Sequence, residues 1–216
     1  MAPTKTPEER ATVDLRIAKS TQTRTRILET ATERFLIDGY SSTSLEAVAA
    51  EAKVTKPTVY SHFKSKQGLF DAVIQECAAH RLQELASFLE PSGDPRNDLV
   101  QLGDLLMSRV LGKDSVRWDR LAAAESISHP EIGEAFYKAG PGAVLKRLAE
   151  YFDLQTKAGR LKVDDSLMAA EMFCGMLLTL DVLRSQIGQP VSSIAKRKKR
   201  CRSAVDAFMN TFGASS

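Results

Sequence analysis

Between residues 55 and 66 the chain crowds together Lys56, Pro57, Thr58, Tyr60, Ser61, His62 and Lys66. Ammonium, hydroxyl, phenol and imidazole groups donate hydrogen bonds to phosphate oxygens and to base edges, and a Thr methyl packs against a thymine methyl. The chemistry open to this set is contact with nucleic acid. On an ordinary amphipathic surface helix the same side chains would only be solvated, so the reading depends on the elements that position them.

Two short helices are expected around this set. Thr43 is predicted to open the first, over about 44–52, with Glu46 three positions later completing a capping box. Thr55 is placed to cap the second, and Pro57 falls in its first turn, where the missing N–H costs little. Val48, Ala49, Ala52, Val54 and Val59 are the expected contacts between the two, with Ala49 small where the helices approach closely. With Val59 and Phe63 turned inward, Lys56, Pro57, Thr58, Tyr60, Ser61 and His62 are left outward. That is the arrangement of a helix-turn-helix, whose second helix enters the major groove.

The rest of the chain also reads as helix. Apolar residues recur three and four apart almost everywhere, and no alternating β-branched run is bounded by hairpin turns, so the fold class is all-α. Residues 1–20 are expected to form a loose arm. A helix bearing Ile27, Leu28, Ala31, Phe35 and Leu36 should end at Gly39, and Ser65 should cap a linking helix bearing Leu69, Phe70, Val73 and Ile74. Pro91, Gly93 and Pro95 end that helix. Further helices are expected over 95–111, 115–127, 130–152 with a weak point at Gly140, Pro141 and Gly142, 165–187, and 192–212. The domain division is therefore an arm (1–20), a helix-turn-helix domain (21–66) and a helical body (67–216).

Composition narrows the function. Hydrophobic residues make up 43% and charged residues 26% of 216, as in an ordinary globular protein. No run is long and apolar enough to span a bilayer, and the start lacks the apolar centre of a secretory signal, so a cytoplasmic location is expected. Up to Lys66 there are eleven basic residues against eight acidic ones, which places the whole net charge of +3 in the first third. A polyanion, if one is bound, meets that end. Cys77, Cys174 and Cys201 are too scattered for a disulfide framework, and neither they nor His62, His80 and His129 have metal-ligand spacing. No metal or cofactor is expected. No nucleophile with a base in a recognisable motif and no Gly-rich phosphate loop is present, so an enzyme is not expected.

The stretch SSTSLEAVAAEAKVTKPTVYSHFKSKQGLF, residues 41–70, resembles the DNA-binding domain of the TetR/AcrR family, including its Tyr-x-His-Phe-x-x-Lys run at Tyr60, His62, Phe63 and Lys66. The likeness covers about residues 25–70, with weaker echoes near Ala124, Glu125, His129 and Pro130 and at the turn from Ala158 to Leu161. The resemblance implies base or methyl contacts by Lys56, Pro57 and Thr58, and phosphate contacts by Tyr60, His62 and Lys66. Thr43 and Ser44 add donors. Arg24 and Arg26 either touch phosphates or are solvated. The chain departs from the family pattern at Lys53, where Gly is usual, and a left-handed backbone there would be strained.

The family also implies a ligand-responsive regulator, most simply a repressor, that grips a palindromic double-stranded DNA operator as a homodimer. The last two helices fit the dimer role: the one near Phe173 is apolar on nearly every side, and the one near Phe208 carries an apolar stripe. The basic run from Lys196 to Arg202 is expected to be a solvated flank. A small-molecule effector would sit in the body, with Met107, Val110, Trp118, Leu121, Phe136, Tyr137 and Phe173 as candidate walls. Glu125 and Arg109 are candidate polar handles. Any single aromatic among them reads first as core and only second as pocket wall, and Glu125 and Arg109 read equally as surface ion pairs. A DNA-binding architectural factor without any effector remains the competing reading, and the sequence names neither effector nor operator.

Overall fold

The computed structural model describes residues 7–86, 92–178 and 180–214, with backbone only for 7–15, 80–82 and 84–86. Among the described residues its regular elements are all helices, apart from one isolated bridge between Leu161 and Gly213. The chain divides into two compact units, Met1–Gln75 and Glu76–Ser216. The division falls inside the linking helix rather than at its start, because Leu69, Phe70, Val73 and Ile74 are buried with the first unit's core.

In the first unit, α1 (Pro7–Ser42) is interrupted at Gly39, whose φ of 83° and ψ of 167° suit a residue without Cβ. The expected arm is thus helical from Pro7 onward, and residues 1–6 lie outside the described part. α2 (Leu45–Glu51), α3 (Lys56–Phe63) and the start of α4 (Lys66–Ala86) follow. Their core centres on Phe35, Tyr40 and Phe70, with ring centroids 5.2 to 5.8 Å apart. Offset and edge-on aromatic contacts of this kind add to area burial. Ser65 caps α4 by accepting from the Gly68 amide at 2.9 Å.

The second unit continues with α5 (Pro95–Val110), α6 (Lys113–Glu125), α7 (Pro130–Ala139), α8 (Pro141–Lys157), α9 (Ser166–Leu178), α10 (Asp181–Gln186) and α11 (Ile194–Phe212). Asp94 caps α5 through the amides of Arg96 and Asn97, and Asp165 caps α9 through that of Met168. The expected weak point at Gly140 separates α7 from α8. Phe152, Phe173 and Phe208 stack in the core, with Phe152 and Phe208 centroids 4.8 Å apart. α5 and α11 approach so closely that a Cβ on Gly103 would lie 2.6 Å from the Cys201 sulfur.

The single helix expected over 165–187 is described as two, α9 to Leu178 and α10 from Asp181, with Leu180 in a turn and residue 179 outside the described residues. Asp181 is fully buried and accepts from Arg200 Nη2 (2.7 Å), the Ser192 amide (3.0 Å) and hydroxyl (3.2 Å), and Arg184 Nη1 (3.2 Å). Burial alone would raise its carboxyl, but these donors outweigh it and hold it at about 2. The basic run of α11 is therefore not wholly a solvated flank. Arg200 reaches in to Asp181, and Arg197 donates to the Met107 carbonyl at 3.4 Å.

Candidate nucleic-acid interface and effector cavity

Local capping chemistry sets the interface. Ser44, not Thr43, caps α2, accepting from the Ala47 amide at 3.1 Å. Thr43 is only 3% exposed and donates to the Gly39 carbonyl at 2.7 Å. The expected capping box does not form: Glu46 instead turns to α3 and pairs with Lys56. Thr55 caps α3 through the Thr58 amide, and the two threonine hydroxyls share a 2.8 Å hydrogen bond. Lys53 sits in the turn at φ 53°, the left-handed conformation expected there.

With Val59 and Phe63 buried, α3 shows Lys56, Pro57, Tyr60 and Ser61 to solvent, while Thr58 and His62 are half-buried. The Lys56 ammonium also lies 5.6 Å from the Tyr60 ring centroid. Hydrogen bonding between the two groups holds the Glu46 carboxyl below its ordinary range and the Lys56 ammonium above. Lys66 donates to the Ser41 carbonyl at 2.9 Å and lies 4.5 Å from the Tyr40 ring centroid, so it braces the end of α1 as well as facing the interface. Arg24 is stacked over Phe63, 5.5 Å from its centroid. Ser41, Ser42, Ser44, Tyr60, Ser65 and Lys66 line a polar groove beside α3. Ser41 and Ser42 were not among the expected contacts, their only signal being their position beside the α2 cap, and Ser65 was expected only as the cap of α4.

The second unit contains a cavity of about 490 Å³. Val110 and Phe136, from the candidate walls, line it, as does Arg109. The other candidates lie elsewhere. Met107, Trp118 and Phe173 are buried in packed surroundings, Tyr137 is 56% exposed, and Leu121 and Glu125 are not part of the wall. The wall is built mainly of small and aliphatic residues, together with Ser115, Asp119, Cys174 and Gln186. Burial pushes the Cys174 thiol up to about 11, so it is neutral at ordinary pH. No described helix is long and apolar enough to cross a membrane.

On this geometry the comparisons with known proteins converge. Residues 27–73 match the family described as bacterial regulatory proteins, tetR family, and residues 97–214 match the AefR-like transcriptional repressor C-terminal domain. The HTH-type transcriptional regulator YvkB of Bacillus subtilis is 23% identical over 177 residues, covering 82% of this chain and 90% of its own. A TetR-family regulator from Mesorhizobium loti superposes with a TM-score of 0.81 at 28% identity, covering 90% of this chain and 98% of that one. The flavonoid-responsive regulator FrrA superposes at 0.78 with 24% identity, covering 91% and 100%. A capped, outward-facing recognition helix joined to an AefR-like helical body thus places this chain in the TetR family of bacterial transcriptional regulators, with its helix-turn-helix as the DNA-binding element.

Proposed function

We propose that the chain is a homodimeric repressor acting in the cytoplasm, which holds a palindromic operator when empty and releases it when a small molecule enters the body cavity. The observation that carries this reading is the wall of that cavity. It includes Ala78 of α4, and α4 begins at Lys66 beside the recognition helix. Twelve residues of the same helix separate the two positions in sequence. An occupant that favours a shifted α4 biases the population away from the DNA-compatible form, in proportion to its differential affinity for the two forms. Lys56, Pro57 and Thr58 read bases in this scheme. Ser44, Tyr60, Ser61, His62 and Lys66 hold phosphates.

The apolar face of α9 and its continuation supports the dimer. Leu167, Met168, Met172, Leu180, Leu183 and Ile187 are exposed on the single chain. A patch of that size is rarely left to water, and a two-fold partner offering the same face covers it. Two recognition helices about 34 Å apart would then meet successive major grooves on one face of the duplex. FrrA is named for its response to flavonoids, and the matching C-terminal family is described as that of an AefR-like transcriptional repressor. Both favour a sensing body over an architectural factor.

The test is selection of bound sequences from a random duplex library at fixed, near-physiological salt, followed by footprinting of the winner. The expected result is a palindrome protected on one DNA face. Absence of any enriched motif, with binding that vanishes as salt rises, overturns the reading in favour of non-specific electrostatic attraction.

A further inference from the structure

We propose that the effector is an uncharged amphiphile, with a hydrogen-bonding edge lying against α6 and α10 and an apolar body lying against α5, α8 and α9. The inference rests on the reading of the 490 Å³ cavity as the effector site.

The cavity has two unlike sides. Ser115, Asp119 and Ala122 of α6 and Ser126 at its C-cap all line it, and their spacing of four, three and four residues puts them on one helical face. Three of those four are polar. Gln186 of α10 belongs to the same side, because Arg120 of α6 donates to the Ser185 carbonyl at 2.5 Å and ties the two helices together. On the other side Leu105 and Leu106 of α5, Val144 and Leu145 of α8, and Leu177 and Leu178 of α9 present hydrocarbon, interrupted by Arg109 of α5 and Cys174 of α9. A ligand apolar all round would strip water from the α6 and α10 groups without replacing its hydrogen bonds, and one polar all round would lose water to leucines.

Charge decides the rest. Among the described residues the wall holds one cation, Arg109, and one anion, Asp119, and the Cys174 thiol adds no charge. A ligand carboxylate that met Arg109 would share the cavity with Asp119, and an ammonium that met Asp119 would share it with Arg109. Neither ion finds a net counter-charge to offset its desolvation. A neutral hydroxyl or carbonyl finds donors and acceptors on the α6 side at no such cost. The volume suits a body of two fused or linked rings: it lies within the roughly 300–1,000 Å³ usual for small-molecule sites.

Four probes of one shape test this on the full-length protein by isothermal titration: 4-phenylphenol, biphenyl, biphenyl-4-carboxylate and 4-(aminomethyl)biphenyl. 4-Phenylphenol is expected to bind at least tenfold more tightly than each of the others, and Gln186→Leu with Ser126→Ala to cut its advantage over biphenyl below threefold. Occupancy is read separately, without any substitution in the cavity, as the rate of N-ethylmaleimide labelling of Cys174 followed by peptide mass. Saturating 4-phenylphenol should slow that rate at least fivefold. If the carboxylate or the amine binds as tightly and also protects Cys174, the cavity is the effector site but the proposed chemistry is wrong. If 4-phenylphenol binds and leaves the Cys174 rate unchanged, the reading of the cavity itself fails. Failure of all four probes to bind at millimolar concentration also overturns the proposal.

Discussion

Replacing Asp181 by alanine removes the anion that joins the start of α10 to α11, and its cost follows from what is left behind. Arg200, with 19% of its side chain exposed, loses its ion pair with Asp181, and the Ser192 amide loses its acceptor. Arg184 is 43% exposed and turns to water, so its share is small. Removing one partner of a buried pair typically costs about 3–5 kcal/mol. With a urea m-value of about 2 kcal/mol/M, the unfolding midpoint should fall by roughly 1.5–2.5 M. The single tryptophan, Trp118, is buried in the second unit, so its emission reports this transition at fixed protein concentration. Asp181→Ala combined with Arg200→Met removes both charges and should recover about half of the loss or more. The carboxyl also makes stability depend on pH. Its folded value, about 2, lies below the ordinary 3.8, so its contribution is complete above pH 3.8 and is lost as pH falls toward 2. That contribution amounts to about 2 kcal/mol and should be missing in Asp181→Asn. A single-variant loss under about 1 kcal/mol, or a double variant no more stable than the single, would refute the reasoning.

Glu46→Gln frees Lys56 from its ion pair. Operator binding should tighten by up to about fivefold at low salt, with the gain fading as salt rises, in a fluorescence-anisotropy titration. At Lys53, held at φ 53°, Lys53→Val should lower stability by about 1–2 kcal/mol in chemical denaturation, and Lys53→Gly should be neutral or gain up to about 1 kcal/mol. Met172→Glu puts a charge into the exposed apolar face of α9. It should convert dimer to monomer in sedimentation analysis and weaken operator binding at least tenfold, while the helical circular dichroism is unchanged.

The first unit was the more legible because its signals are local. Gly39, Thr55, Pro57 and Ser65 act on their own turns, and each marks a boundary where the structure has one. The choice of cap at α2 was missed because Thr43 and Ser44 carry equivalent hydroxyls, and only the Tyr40 turn decides which one is buried. In the second unit, the turn at Leu180 was invisible to periodicity, since apolar residues continue on both sides of it. The signal was Asp181 itself, an acid within an apolar run that could be buried only with a partner such as Arg200. The cavity wall was misjudged for a related reason. Large rings such as Trp118 and Phe173 fill space and pack, whereas a void persists where side chains are too small to close it, as at Ala122, Ala123 and Ala139.

The central claim, that α3 reads DNA sequence, is tested most directly by repeating the duplex selection with Lys56→Ala and Thr58→Val and comparing the enriched motif with that of the parent chain. The expected result is a changed base preference at symmetry-related positions in both half-sites, with spacing between the half-sites preserved. An unchanged motif, or a uniform loss of affinity across all sequences, would contradict it.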